Sequence, residues 1–203
     1  MINFLKEKIE LKIFRKNWKI KNKNNFTYPV NIFPLELVNI GKGTYGPIEV
    51  FHFKTLNEQL TIGNYCSIGK NVKFLLGGEH YSKHILTYPI KTYYFSQKNQ
   101  DSFSKGEIII EDDVWIGLNS IILSGVKISQ GSIIGAGCVV SKSIPPYSIV
   151  VGNPMKIIKK RFPDEIIKKL IEIDLSKIAI NRATCKFNQA AKPISSKLNF
   201  LTF

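Results

Sequence analysis

The chain has 203 residues, of which 44% are hydrophobic, and its formal net charge at pH 7 is +14. This apolar content is enough for one large folded domain, which argues against a disordered chain. Three cysteines without metal-ligand spacing argue against a disulfide framework and favour a reducing compartment, with structural roles for Cys66 and Cys138. The excess positive charge lies in the two termini rather than on a recognised nucleic-acid-binding fold, so no nucleic-acid partner is predicted.

Residues 1–25 are predicted to form a basic amphipathic segment, with eight Lys and Arg against Glu7 and Glu10. Its apolar residues at helical spacing are Ile2, Leu5, Ile9 and Ile13. This stripe either packs on the β-helix solenoid that the following residues are predicted to form, or packs on a neighbouring subunit, or binds an anionic membrane surface. The segment has no uninterrupted apolar core, so it is neither a signal peptide nor a transmembrane helix. We therefore predict a cytoplasmic protein, at the inner face of the cytoplasmic membrane if the basic termini bind lipid.

Residues 26–160 are predicted to form one β-helix domain, because most of this range follows a six-residue repeat. The repeated large residues are Ile62, Ile68, Phe74, Ile110, Ile116, Ile122, Ile128, Ile134 and Val140. Four residues after most of them stands a small or compact residue that suits a corner. No helix has this period, and a single strand of this length would be far outside the usual range. The pattern predicts a parallel solenoid in which three six-residue faces close one coil. A β-sandwich would need turn signals at longer intervals. Residues 28–53 are expected to form an irregular first coil.

An insertion of about residues 77–107 interrupts the repeat and has no repeat of its own. Long excursions from a regular scaffold usually carry function. Gly77 and Gly78 allow the backbone to leave the coil at angles that a side chain would forbid. Beyond the repeat, residues 161–203 are predicted to contain a helix and a basic tail. The helix follows Pro163, carries acids first and lysines later, and is expected to cap the solenoid end or contact a neighbour.

Several motifs in this pattern resemble the hexapeptide-repeat acyltransferases, in particular their xenobiotic and polysaccharide O-acetyltransferase branch. The motifs are GGEH with TYP at residues 77–89, DDVWIG at 112–117 and IGAGCVVSKSIPPYSIVVGNPMK at 134–156. The resemblance covers roughly residues 62–173. It implies an all-β-dominated fold built on a left-handed parallel β-helix, a homotrimer with active sites between subunits, and acetyl-CoA as the acyl donor without a metal.

The resemblance implies that His80 of GGEH is the general base. Chemistry agrees, because a hydroxyl that attacks a thioester must lose a proton and imidazole titrates closest to neutrality. Candidate acceptor-binding residues in the insertion are Glu79, His84 and Tyr88, although a packing role is expected for His84. Relatives commonly carry Ser or Thr and then Phe where this chain has Leu86 and Ile90. This departure leaves the acceptor pocket open.

The donor side is expected along the later repeats. By resemblance, the amide of Leu118 faces the acetyl carbonyl, the amide of Ala136 contacts pantetheine, and Trp115 lines the site. Near the nucleotide end the resemblance places three residues: Ser141, Lys142 and Lys159. A fixed amide donor would stabilise the oxyanion that forms during attack. The neighbouring basic cluster, residues 156–161, suits phosphates, and a solvated basic face is the alternative.

The leading prediction is an acetyl-CoA-dependent O-acetyltransferase that acts on a sugar hydroxyl of a surface polysaccharide or its precursor. Alternatives within the class are N-acetylation of an amino sugar nucleotide and O-acetylation of chloramphenicol or a streptogramin. An amine acceptor also needs deprotonation, so His80 does not discriminate between them. A non-catalytic β-helix scaffold is the alternative of another class. The basic termini would suit an acidic glycan or a membrane-attached acceptor.

Overall fold

The structure, a computed structural model, describes residues 2–97 and 100–178, without the side chains of Ile2 and Asn3. Three α-helices are described: α1 (Ile2–Lys21), α2 (Ile90–Tyr94) and α3 (Asp164–Leu170). The strands in chain order are β1 (Phe26–Pro29), β2 (Val38–Ile40), β3 (Tyr45–Phe51), β4 (Leu60–Ile62), β5 (Ser67–Ile68), β6 (Lys73–Leu75), β7 (Glu79–His80), β8 (Ser102–Phe103), β9 (Ile108–Ile110), β10 (Trp115–Ile116), β11 (Ile121–Ile122), β12 (Lys127–Ile128), β13 (Ile133–Ile134), β14 (Val139–Val140), β15 (Ser148–Val151) and β16 (Lys156–Lys160).

These short strands stack into three parallel faces, which confirms the predicted left-handed parallel β-helix. Face A contains β1, the start of β3, β5, β10, β13 and β15. Face B contains β2, β4, β9 and β12. Face C contains the end of β3, β6, β11 and β14. The chain passes through faces B, A and C in turn and then enters face B of the next coil. Each coil therefore has an A/C corner and a C/B corner, and these two corners bound face C.

The core is one column of side chains inside the coils. Every large repeat residue predicted to point inward is 0–3% exposed: Ile62, Ile68, Phe74, Ile110, Ile116, Ile122, Ile128, Ile134 and Val140. Burial of one such side chain contributes about 1.5–3 kcal/mol. Compact residues such as Cys66, Val114 and Ser120 are buried at the corners. Parallel backbone pairing fixes the register, so equivalent residues of successive coils stack on one another.

The first coil is irregular, as expected, because its backbone makes no turn at the A/C corner. Strand β3 continues from face A to face C: Tyr45 pairs with Ser67, and Glu49 pairs with Lys73. Gly46 lies on this stretch at φ 118°, where a Cβ would come within 2.2 Å of a backbone oxygen of the next coil. The interruption of the repeat at this glycine is thus a local close approach of two coils.

The N-terminal helix packs through a different stripe from the predicted one. Leu5, Ile9 and Ile13 are 61%, 54% and 57% exposed, so the prediction that this stripe packs on the solenoid is wrong. Instead, Phe14 and Trp18 form edge-to-face contacts with Phe33, with ring centroids 5.1 and 5.6 Å apart. Large aromatic rings bury more apolar area than the aliphatic side chains, which explains why this face was selected.

The C-terminal part of the solenoid ends in a hairpin that the repeat did not predict. Strand β16 turns back and pairs antiparallel with β15, which covers one edge of face A. Helix α3 follows, as predicted, with Ile167 buried, and Gln130 donates a hydrogen bond from Nε2 to the Leu170 carbonyl at 3.1 Å. From Asp174 the chain forms a separate small unit, described as far as residue 178, with a 3-10 turn at Leu175–Lys177. The basic tail lies outside the described residues.

None of the helices within residues 2–97 and 100–178 is long and apolar enough to cross a lipid bilayer.

Candidate active site

The insertion leaves the solenoid at a C/B corner and is anchored there by specific contacts. Strands β7 and β8 pair antiparallel at its root, with Glu79 opposite Phe103 and His80 opposite Ser102. Beside the exit, the buried carboxylate of Glu58 accepts hydrogen bonds from the backbone amides of residues 53–55. Gly77 packs against this turn so closely that a Cβ would lie 2.8 Å from Glu58 Oε1. Sequence reasoning missed Glu58, since nothing in the local pattern marks a carboxylate that caps a turn.

His80 lies at the surface of this root with one ring nitrogen held in place. Its Nδ1 is 2.6 Å from the carbonyl oxygen of Thr87, and the side chain is exposed. A carbonyl oxygen only accepts hydrogen bonds, so Nδ1 must carry the proton. In the neutral ring, Nε2 is then unprotonated and able to accept a proton from an acceptor hydroxyl. The contact therefore selects the tautomer that a general base requires.

Glu79 points to the opposite side of the strand from His80, as neighbouring strand residues do. Its Oε1 accepts a 2.6 Å hydrogen bond from Ser124 Oγ on the next coil, and Lys105 Nζ lies 3.7 Å from the same oxygen. Its Oε2 is buried and has no hydrogen-bond partner among the described residues. No hydrogen bond joins Glu79 to His80 within residues 2–97 and 100–178. Glu79 thus ties the insertion to the solenoid and keeps one carboxylate oxygen unsatisfied.

The remaining insertion candidates belong to aromatic groups. His84 stacks on Tyr81 at 4.9 Å, and Tyr81 in turn stacks on Phe103, in keeping with the expected packing role of His84. Tyr88 is 51% exposed and lies 5.8 and 6.3 Å from Tyr93 and Tyr94. These three tyrosines form an exposed aromatic surface on the insertion.

The predicted donor amides lie one above the other at the A/C corner. Leu118 and Ala136 are both exposed, and neither amide donates to any acceptor within the described part of the chain. The glycines before them bring successive coils into close contact: a Cβ on Gly117 would lie 2.5 Å from the Ala136 nitrogen. Unsatisfied amides on an exposed ridge can accept a ligand that runs along the coils. This arrangement fits the amide-rich pantetheine arm of coenzyme A.

The other predicted donor residues are distributed over two places. Trp115 and Lys159 lie on face A, where the in-register row runs from Trp115 through Ile133 and Ile149 to Lys159. Trp115 is 55% exposed. Ser141 and Lys142 lie instead at a C/B corner, above the corner that contains Ser124, and both are exposed.

The basic cluster at residues 156–161 is only partly available for phosphates. Arg161 donates to the Gly131 carbonyl at 2.6 Å and pairs with Asp113 at 3.0 Å, and its guanidinium stacks near Tyr147. Lys160 pairs with Asp164. Lys159 has no ion-pair partner in the described ranges. The positions of Arg161 and Lys160 therefore indicate structural roles, and Asp113 is the structural partner of Arg161.

In one chain the predicted site residues thus form two separate groups. The first group, near the C/B corners, consists of Glu79, His80, His84, Tyr88, Ser141 and Lys142. The second group, on face A and the A/C corner, consists of Trp115, Leu118, Ala136 and Lys159. Glu79, next to His80, contacts Ser124, which follows face C, whereas Leu118 precedes face C. In one chain the base and the donor amides therefore lie at the two different corners that bound face C.

The buried thiols offer no alternative nucleophile. Burial raises the pKa of Cys66 to about 12, and burial also raises the pKa of Cys138. Both thiols therefore stay protonated near neutral pH, and Cys66 contacts the Glu111 carbonyl at 3.1 Å. Cys185 lies outside the described residues. Within those ranges, no group of three or more His, Cys, Asp or Glu side chains could hold a metal ion.

Comparison with known proteins agrees with this architecture. The family description "hexapeptide repeat of succinyl-transferase" matches residues 107–142. A probable macrolide acetyltransferase of Lysinibacillus sphaericus is 40% identical over 61% of this chain and 72% of its own length. A chloramphenicol acetyltransferase of Escherichia coli is 37% identical over 57% of this chain and 58% of its own length. A galactoside acetyltransferase solved with coenzyme A shares the fold at a TM-score of 0.53 and 24% identity, over 79% of this chain and 85% of that one.

The chain belongs to the hexapeptide-repeat acyltransferases. The prediction of an acetyltransferase is confirmed at the level of this family. The chain spans less than three fifths of the chloramphenicol acetyltransferase that it matches, so the acceptor does not follow from that relationship.

Proposed function

We propose that this protein transfers an acetyl group from acetyl-CoA to a hydroxyl group of a carbohydrate, with His80 as the general base. The observation that carries the proposal is the 2.6 Å contact between His80 Nδ1 and the Thr87 carbonyl, which leaves Nε2 free on an exposed ring. A fixed tautomer at the surface of the insertion is what an approaching hydroxyl needs.

The reaction uses His80 near the C/B corner and the amide of Leu118 at the A/C corner. Nε2 of His80 takes the hydroxyl proton while the oxygen attacks the thioester carbonyl. The amide of Leu118 donates to the oxyanion that forms, because it has no acceptor within the described part of the chain. Collapse then breaks the carbon–sulfur bond, and the proton on Nε2 passes to the leaving thiolate. The products are the acetyl ester and coenzyme A.

The separation of base and amides within one chain supports a shared site in a homotrimer. If a second chain places its A/C corner beside the C/B corner of the first, the two groups of residues combine into one site. His80 and Lys142 would then come from one chain, and Leu118 and Ala136 from the next. Exposed apolar side chains along face A, among them Trp115, offer a surface for that contact.

One feature of the insertion supports a carbohydrate acceptor. The exposed rings of Tyr88, Tyr93 and Tyr94 can pack against the apolar face of a sugar while their hydroxyls form hydrogen bonds. We place the acceptor among surface polysaccharides or their precursors.

An antibiotic hydroxyl is the second candidate acceptor. It is favoured by the two relatives at 40% and 37% identity, whose names include a macrolide and chloramphenicol. The same His80 chemistry serves both acceptors, since each reaction deprotonates a hydroxyl group.

The experiment is thiol release from acetyl-CoA with sugar, amino sugar nucleotide, macrolide and chloramphenicol acceptors, with mass spectrometry of each product. We expect ester formation on a sugar hydroxyl and a loss of about 100-fold to 10,000-fold in kcat for His80→Ala. Acetyl-CoA binding by this variant should stay unchanged in a calorimetric titration. His84→Ala is the matched control, because His84 shares the insertion but stacks on Tyr81. Normal turnover by His80→Ala would refute the general-base role, and exclusive acetylation of an antibiotic would refute the carbohydrate acceptor.

A further inference from the structure

Helix α1 has apolar side chains on two opposite faces. At 100° per residue, Phe14 and Trp18 share one direction, which is the face that contacts Phe33. The second stripe consists of Leu5, Ile9, Ile13 and Ile20. Their exposed fractions are 61%, 54%, 57% and 69%. The first stripe fixes the helix on the protein, so the second stripe points away from that contact.

The acids of α1 lie away from the outward stripe, whereas several of its lysines lie on the same side as that stripe. Four lysines occupy helical positions on the outward side: Lys6, Lys12, Lys16 and Lys19. The two acids, Glu7 and Glu10, lie at helical positions closer to the inward side, and Glu10 is 4.0 Å from Lys6. The outward half of the helix is therefore an apolar stripe flanked by positive charge.

We propose that the outward stripe of α1 docks the protein on an anionic lipid bilayer. Charge complementarity selects this occupant, since aliphatic side chains flanked by lysines match the boundary between acyl chains and anionic headgroups. Long lysine side chains extend to the headgroups while their methylene stems stay beside the apolar stripe. Pairing with the same helix of a second copy would bring two positive surfaces together. This docking is independent of the acetyl transfer proposed above.

Docking of this kind keeps α1 in the plane of the membrane surface. The contacts of Phe14 and Trp18 with Phe33 remain in place, so the helix holds the solenoid beside the bilayer without a spanning segment.

The test is co-sedimentation of the full chain with vesicles of phosphatidylcholine alone and of phosphatidylcholine mixed with phosphatidylglycerol. We expect binding to the mixed vesicles, little binding to the neutral ones, and weakening by added salt. Ile9→Gln with Ile13→Gln should reduce the partition coefficient at least about tenfold. Leu56→Gln with Ile85→Gln is the matched control, because these residues are 86% and 101% exposed outside α1. The control keeps every charge of both termini and should bind like the unaltered chain.

Two readouts separate this proposal from its competitors. Circular dichroism and the fluorescence of the buried Trp18 report whether the double variant in α1 stays folded, and light scattering reports its oligomeric state. Absence of binding to anionic vesicles, or equal binding by the Ile9→Gln, Ile13→Gln variant, overturns the proposal. A fall in oligomeric mass in this variant, without vesicle binding by the unaltered chain, assigns the stripe to a second copy and also overturns it.

Discussion

The coils and the insertion use apolar residues in opposite ways. Within the coils, the repeat residues from Ile62 to Val140 point inward and are almost completely buried. In the insertion, residues of similar character are exposed, including Ile85 at 101%, Tyr93 at 71% and Tyr94 at 74%. The coils are stabilised by contacts with one another, whereas the insertion is attached through a few contacts at its root.

This difference in exposure indicates what each region contacts: the coils contact one another, and the insertion contacts another molecule. A coil buries its apolar residues against the next coil, so its sequence must repeat. Contiguous exposed apolar residues, in contrast, mark surfaces that bind something else. The insertion therefore has the composition of a binding surface for an acceptor or a neighbouring subunit, mounted on a rigid scaffold.

The largest effect on stability should come from an inward residue of a coil. Phe74→Ala removes a side chain that is 0% exposed, so it leaves a cavity in the column and should lower the free energy of unfolding by about 3–5 kcal/mol. Tyr94→Ala in the insertion is the matched control and should change it by less than about 0.5 kcal/mol. Urea denaturation of both variants measures the difference, and similar values would contradict the division into a packed and a surface region.

A smaller effect should follow from a glycine that brings two coils together. A Cβ at Gly117 would meet backbone atoms of the next coil, 2.5 Å from the Ala136 nitrogen, so Gly117→Ala should cost about 1–3 kcal/mol. It should also weaken acetyl-CoA binding, because the adjacent Leu118 amide would move. At Gly137, which has φ 71°, a Cβ would have no neighbouring atom within 4 Å, and alanine should cost about 1 kcal/mol. Equal losses of stability and donor affinity in both variants would argue against close coil contact as the cause.

Most of the solenoid could be predicted because its contacts repeat along the sequence. The six-residue spacing alone assigns the inward direction of Ile110, Ile116 and Ile122, and the helix after Pro163 follows from its charges and apolar spacing. These features depend on local periodicity, which a single sequence displays directly.

The contacts that were missed join residues far apart in sequence. Glu79 bonds to Ser124 across 45 residues, and Arg161 pairs with Asp113 across 48. On α1, both possible apolar stripes have helical spacing, and only the position of Phe33 decides that Trp18 is buried. The separation of His80 from Leu118 likewise depends on which corner each occupies. Local patterns do not contain this information.

The central claim is that base and donor amides come from different chains, and mixed trimers test it most directly. His80→Ala removes the base, and Ala136→Phe places a bulky side chain beside the donor amide, so each variant alone should be inactive. Co-expression of both, with separate affinity tags and purification of the mixed oligomer, should restore activity to one site in each mixed trimer, about one third of the sites. No recovery of acetyl transfer in mixed oligomers, with each variant still folded, would contradict a site shared between subunits.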